Sequence, residues 1–275
     1  MPAVRIERHG AIAEVILARP EKHNAVGSDT LAELISAGRT LRRDRDLRAI
    51  ILRGEGPSFC SGLDIPGFMK RPASMLTNFW RPFWRSTNNF QEVAWVWRRV
   101  PVPVIAVLHG RCYGAGLQIA LAADFRLATP DCELSVMEAK WGLVPDMSGT
   151  VSLRELLPLD VAKKLAMTAE LFNAEQGRAL GLVTETHADP LAAARDLWRV
   201  YRQCEGLSFL RTLGYFGGYL AFALRHRLIQ RHAERHRLHE GLERLLLLAP
   251  VDHFGRIGAA DHQVLGGGQR GAVGG

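Results

Sequence analysis

The chain has 275 residues, 47% hydrophobic and 23% charged, which suits a soluble globular protein of one or two domains with ample core. No apolar run approaches the roughly 18 residues that a membrane span needs, and the N-terminus MPAVRIERHG lacks the apolar core of a signal peptide, so a cytoplasmic location is expected. The formal net charge of +7 favours anionic partners without choosing among phosphate-bearing cofactors, nucleic acid and acidic lipid.

In chain order, Val4–Glu7 and Ala11–Leu17 read as a hairpin around His9 and Gly10, and Ser28–Arg43 as a helix with Ser28 as N-cap. LRAIILRG (Leu47–Gly54) is a buried strand leading into the loop EGPSFCSGLDI. The aromatic spacing of Met75–Arg99 predicts a long helix, followed by the strand VPVIAVLHG (Val102–Gly110), a glycine turn and helix from Gly114, and the strand FRLAT (Phe125–Thr129). Strands separated by helices and glycine turns predict an α/β core with crossover connections. From about Pro158 the pattern is mostly helical, and the tail GGGQRGAVGG reads as disordered.

Late in the chain, ALRHRLIQRHAERHRLHEGLERLLLL holds six arginines and four histidines. Leu224, Leu228, Leu238, Leu242 and Leu245 form a helix-spaced apolar stripe in it, interrupted at Arg231 and Arg235. This reads as a solvated or subunit-facing helix, with an RNA-binding or membrane-surface strip as the other reading. Cys60, Cys112, Cys132 and Cys204 show no CxxC spacing, so neither a zinc ribbon nor a disulfide framework is indicated and reduced thiols are expected.

Two nucleotide motifs are excluded. A dinucleotide fingerprint needs a small residue three places after its second glycine, where Gly116 is followed by Ile119, and no GxxxxGK[ST] loop is present. With neither GxSxG nor HExxH, serine-hydrolase and zincin readings have no anchor. What stands out is a pair of glycine loops after strands, SFCSGLDI with Gly62 and Leu63, and HGRCYGAG with Gly114 to Gly116. Both can offer backbone N–H groups to one oxygen atom, the layout of an oxyanion hole, where each donor is typically worth about 3 kcal/mol of transition-state stabilisation.

Together with RPEKHNAV (Arg19–Val26), LSVMEAKWGLVPDMSGT (Leu134–Thr150) and FNAEQGRALGLV (Phe172–Val183), these loops resemble the crotonase superfamily of enoyl-CoA hydratases and isomerases. The likeness covers about three fifths of the chain. It implies an α/β, crotonase-like spiral of ββα units over residues 1–190, a helical oligomerisation region over 191–265 that assembles a homotrimer or hexamer, and a tail at 266–275. It also implies an acyl-CoA thioester substrate whose carbonyl oxygen is held by the N–H groups of Leu63 and Ala115. Coenzyme A then enters as part of the substrate, no metal or separate cofactor is needed, and neither a specific nucleic acid nor a membrane is a partner.

Hydratases that this chain resembles carry one catalytic glutamate at the position of Gln118 and a second at Glu138; here only the second is an acid, and Gln118 is expected at the catalytic site as a hydrogen-bonding partner of a water or the substrate, a helix-start polar residue with no catalytic part being the alternative. Asp146, in VPD before MSG, falls where similar dienoyl-CoA isomerases carry an acid, although a helix-cap role for it is also open. Proton shuttling by Glu138 is therefore favoured over water addition, with a weakened hydratase and a noncatalytic acyl-CoA- or RNA-binding protein as the other readings. By the same resemblance His23, Asn24, Ser61, Gly62, Asp64, Ile65, Gly114 and Trp141 are expected at the substrate and CoA site, Asn24 having a turn role as its alternative. The family's basic position beyond the first loop is Pro66. Tyr113 and Trp141 are candidates for the acyl pocket or for core, and Cys60 and Cys112 for packing.

Overall fold

Strands β1 (Val4–His9) and β2 (Ile12–Leu17) form an antiparallel hairpin turned at Gly10, whose φ of 61° suits a residue without Cβ. After them come α1 (Ser28–Leu41), β3 (Ala49–Gly54), α2 (Ile65–Met69), α3 (Pro72–Phe79), α4 (Asn89–Trp95), β4 (Val104–Leu108) and β5 (Arg111–Tyr113). The order continues with α5 (Ala115–Ala120), β6 (Phe125–Ala128), β7 (Glu133–Ser135), α6 (Gly149–Leu156) and α7 (Leu159–Thr168), then β8 (Phe172–Asn173), α8 (Ala174–Leu180), β9 (Glu185–Thr186) and α9 (Pro190–Glu205). The computed structural model describes residues 2–205, so the basic stripe from Leu224 to Leu245, most of the helical region expected over 191–265 and the tail lie outside the described residues.

One sheet has the order β1-β2-β3-β4-β6-β9 and is parallel beyond the hairpin; a smaller one has the order β5-β7-β8. Consecutive passes of the chain give one strand to each: β4 and β5, then β6 and β7. An isolated parallel bridge from Cys60 to Cys112 extends the small sheet backward to the pass that begins with β3. That is the spiral of a crotonase-like α/β fold.

Side-chain alternation along the large sheet separates two apolar layers. Ala13, Val15, Ile50, Leu52, Ala106 and Leu108 enter the main core, while Ile12, Ala49, Ile51, Ile105, Val107 and Leu127 pack under Ala194 and its neighbours on α9. Glu14 falls on the second face and is fully buried. It is neutralised by Arg53 Nε at 2.8 Å and by Arg195 Nε at 2.9 Å, which satisfy what would otherwise be an uncompensated buried charge.

Two expectations need correction. The long helix over Met75–Arg99 is three pieces: α3, α4 and a 3-10 turn at Trp97–Arg99. Pro82 disfavours helical backbone at Arg81, and Asn88 restarts the chain as an N-cap, its side-chain Oδ1 accepting from Gln91 N–H at 2.8 Å while the Gln91 side chain accepts from the Asn88 N–H. Between them Trp80, Phe83 and Trp84 are exposed. Ser28 is also not the cap of α1, because Gly27 holds that position and the Ser28 hydroxyl instead accepts from Asn78.

Candidate active site

The spiral repeat brings the ends of successive small-sheet strands side by side. Cys60 N–H donates to the Arg111 carbonyl at 2.9 Å and Tyr113 N–H to the Cys60 carbonyl at 3.0 Å, while Gly114 N–H donates to the Ser135 carbonyl at 3.0 Å. Loops 60–63 and 113–115 and the segment leading to Glu138 are thereby stitched into one wall. The glycines permit the approach. A Cβ on Gly62 (φ 107°) would lie 3.4 Å from the Tyr113 carbonyl oxygen, and one on Gly114 (φ 48°) would lie 3.2 Å from Glu138 Oε1.

The two amides expected to face a substrate oxygen are set by this geometry. In the bridge between Val26 and Leu63, Gly62 C=O and Asp64 N–H do the pairing, so the Leu63 N–H points away from Val26. Ala115 is the first residue of α5, where an N–H has no intrahelical acceptor and the helix presents its positive end.

A cavity of about 140 Å³ opens here, lined by Leu63, Ala115, Gln118, Glu138 and Asp146 with Ser61, Gly62, Ile65, Gly114 and Trp141. Pro66, Met137, Leu143, Val144 and Met147 complete it. Of these five, only Pro66 stands at a position the family resemblance marks; the exposed apolar pair Leu143 and Val144 between Gly142 and Pro145 is a signal that loop composition alone does not make specific. Asp146 does not cap α6, whose N-cap position is Ser148.

His23, Asn24, Asp64 and Tyr113 are not in the lining. Asn24 is buried at φ 57° and donates to the Glu55 and Ser58 carbonyls at 2.9 and 2.8 Å, so its side chain braces the loop behind the site. His23 Nδ1 lies 3.0 Å from the Ser58 hydroxyl. Asp64 caps α2 by accepting from Gly67 N–H and pairs with Lys22 and Arg19. The Tyr113 hydroxyl donates to Glu133 at 2.6 Å. Cys60, Cys112 and Cys132 are buried free thiols, and burial pushes Cys60 and Cys132 up to about 12, so they pack as thiols rather than react as thiolates.

Residues 7–199 match the enoyl-CoA hydratase/isomerase family. The chain belongs to that family. It is 32% identical to (E)-benzylidenesuccinyl-CoA hydratase of Thauera aromatica over 201 residues, 73% of this chain and 75% of that protein. To the mitochondrial Delta(3,5)-Delta(2,4)-dienoyl-CoA isomerase of Dictyostelium discoideum it is 26% identical over 258 residues, 89% and 82% of the two chains. The crystal structure of enoyl-CoA hydratase from Thermoplasma volcanium superposes with a TM-score of 0.65 at 32% identity, over 73% of this chain and 77% of that one.

In this enoyl-CoA hydratase/isomerase family chain the cavity holds two acids in unlike settings. Glu138 is 8% exposed, and burial raises its carboxyl above the usual range. Bonds from its own backbone N–H and from Gln118 work the other way, and the charge of Asp146 adds to the rise. Asp146 is half-buried and is raised by burial alone, against a bond from its own N–H. Gln118 Nε2 donates to Glu138 Oε1 at 2.5 Å, while Glu138 Oε2 is buried with no hydrogen-bond partner among the described residues. Glu7, His9 and Glu14 bring potential ligand atoms together on the hairpin, but both Glu14 oxygens already accept from arginines, and this group lies outside the cavity.

Proposed function

We propose that the protein is an enoyl-CoA or dienoyl-CoA isomerase in which Glu138 moves the proton. The observation that carries this reading is the pairing in one cavity of a buried glutamate, its Oε2 unpartnered, with an amide at 118 where a hydratase mechanism calls for a second acid. An amide does not exchange protons near neutral pH, so water addition loses one of its two acid–base groups. Bond migration needs only one. The Glu138 carboxylate takes a proton from the carbon beside the thioester carbonyl, the C–H electron pair enters an enolate, and the same proton is returned two carbons further on.

The developing charge on the thioester oxygen is met by the N–H groups of Leu63 and Ala115, the second reinforced by the dipole of α5. Burial poises Glu138 for this work by holding its proton affinity above that of an exposed carboxylate. Asp146 serves as a second acid on dienoyl substrates, whose reacting carbons lie further apart. Proton transfer of this kind calls for no metal or redox group, and the assembly is a trimer or hexamer.

A second reading is hydration, in which Asp146, lining the same cavity, stands in for the missing second acid. The likeness to a hydratase at 32% identity supports it. The test is a panel of enoyl- and dienoyl-CoA esters assayed for bond migration and water addition together. Migration exceeding hydration is the expected result. Hydration alone would move the assignment to the second reading, and binding without turnover of any ester would make the protein a noncatalytic member of the family.

A further inference from the structure

We propose that Gln118 is a positioning residue that, itself oriented by the Gly149 N–H, holds the Glu138 carboxyl in one orientation through Oε1. This rests on the assignment of Glu138 as the base. Three buried groups form the chain. Gly149 is the first residue of α6, so its N–H has no intrahelical acceptor, and it donates to Gln118 Oε1 at 3.0 Å. A backbone N–H can only donate. The amide oxygen must therefore face α6, and the amide NH₂ must face Glu138, with no freedom to flip.

The consequence falls on Glu138. Its Oε1 accepts from the Gln118 amide at 2.5 Å, which fixes the orientation of the carboxyl, while Oε2 is buried with no hydrogen-bond partner among the described residues. The positive end of α6 polarises the amide in the same direction, strengthening the bond to Oε1. Glycine is required at 149, because a Cβ would lie 2.4 Å from Gln118 Oε1. The amide at 118 is thus the group that sets the orientation of the Glu138 carboxyl, while the charge of Asp146 bears on the same group.

The test reads the carboxyl directly. In protein labelled with ¹³C at the glutamate carboxyl, the Glu138 resonance is the one missing from Glu138→Gln, and its titration midpoint is followed in Gln118→Met, which keeps the volume and removes both hydrogen bonds. The midpoint is expected to move upward, since a donor to the charged form is lost. Turnover should fall about tenfold or more while affinity for butyryl-CoA stays within about twofold, because the change acts on the chemical step. If Gln118→Met does not fold, Gly149→Ala breaks the same chain from the other end and should move the midpoint in the same direction. An unmoved midpoint in the folded variant overturns the inference. Failure of the wild-type protein to turn over any acyl-CoA would instead overturn the assignment of Glu138 as base, and would leave the titration to decide the role of Gln118.

Discussion

Ala115 is the residue at which the proposed oxyanion contact can be removed by a single substitution. A backbone N–H is deleted only by proline, and proline is favoured at the first position of a helix, where Ala115 stands after a glycine that tolerates unusual backbone angles. Ala115→Pro is expected to preserve the fold and to lower kcat by about 10²- to 10³-fold, the usual cost of one oxyanion donor. Circular dichroism checks the first expectation and steady-state kinetics the second; a folded variant with full turnover would remove Ala115 from the site. At this scale the sequence was informative where chemistry restricts residue type. Gln118, Glu138, Asp146 and the two glycine loops meet in one cavity. It was uninformative about His23, Asn24 and Asp64, because a polar side chain bracing a loop and one touching a ligand look alike until their hydrogen bonds are known. Gly149 carries no such signal in the sequence, because its contribution is an N–H, which every residue but proline has.

Among elements, the contact of α5 with the preceding turn of the spiral decides whether the two loops stay together. Gly116 lies within α5, where replacing glycine by alanine ordinarily stabilises by about 1 kcal/mol. Here a Cβ would lie 2.6 Å from Cys60 Cβ and 2.9 Å from the Cys60 carbonyl oxygen, so it would wedge the loops apart. Gly116→Ala is therefore expected to cost about 1–3 kcal/mol, the range for overpacking, and to reduce turnover with it. A melting temperature equal to or above that of the wild type would show that the helix and the Cys60 loop are not tightly coupled. The longer strands and α1 were legible from alternation and helical spacing. β5, β7, β8 and β9, two or three residues each, were not, since they are strands only by virtue of partners far along the chain. The reading of Met75–Arg99 as one helix failed for the opposite reason: the apolar spacing was sound, but Pro82 and the Asn88–Gln91 capping box carry the local instructions that break it.

For the molecule as a whole, the two acids of the cavity and the paired acids elsewhere pull stability in opposite directions with pH. Burial works against the charge of Glu14, Asp64 and Glu92, but arginine and lysine partners, with bonds from Gly67 N–H and the Thr87 hydroxyl, overcome it and hold these carboxyls below their ordinary values. The stability they contribute is present above the unfolded pKa and is lost as pH falls through the folded one. Glu138 and Asp146 are raised instead, so the folded protein binds more protons than the unfolded chain between the ordinary carboxylate range and the raised value. Across that window stability falls as pH rises, and above it the cost is constant. Glu138→Gln removes this cost while keeping an oxygen that can accept from Gln118. At neutral pH the variant should therefore melt at a higher temperature than the wild type, even as its bond-migration turnover drops by about 10²-fold or more. The melting difference should shrink toward zero as pH is lowered into the ordinary carboxylate range, where the wild-type glutamate is also neutral. Calorimetric melts of both proteins over this pH range are the check. A variant less stable than the wild type at neutral pH would mean that the buried charge is better solvated than its surroundings indicate, and would weaken the case that Glu138 is held there for its proton affinity.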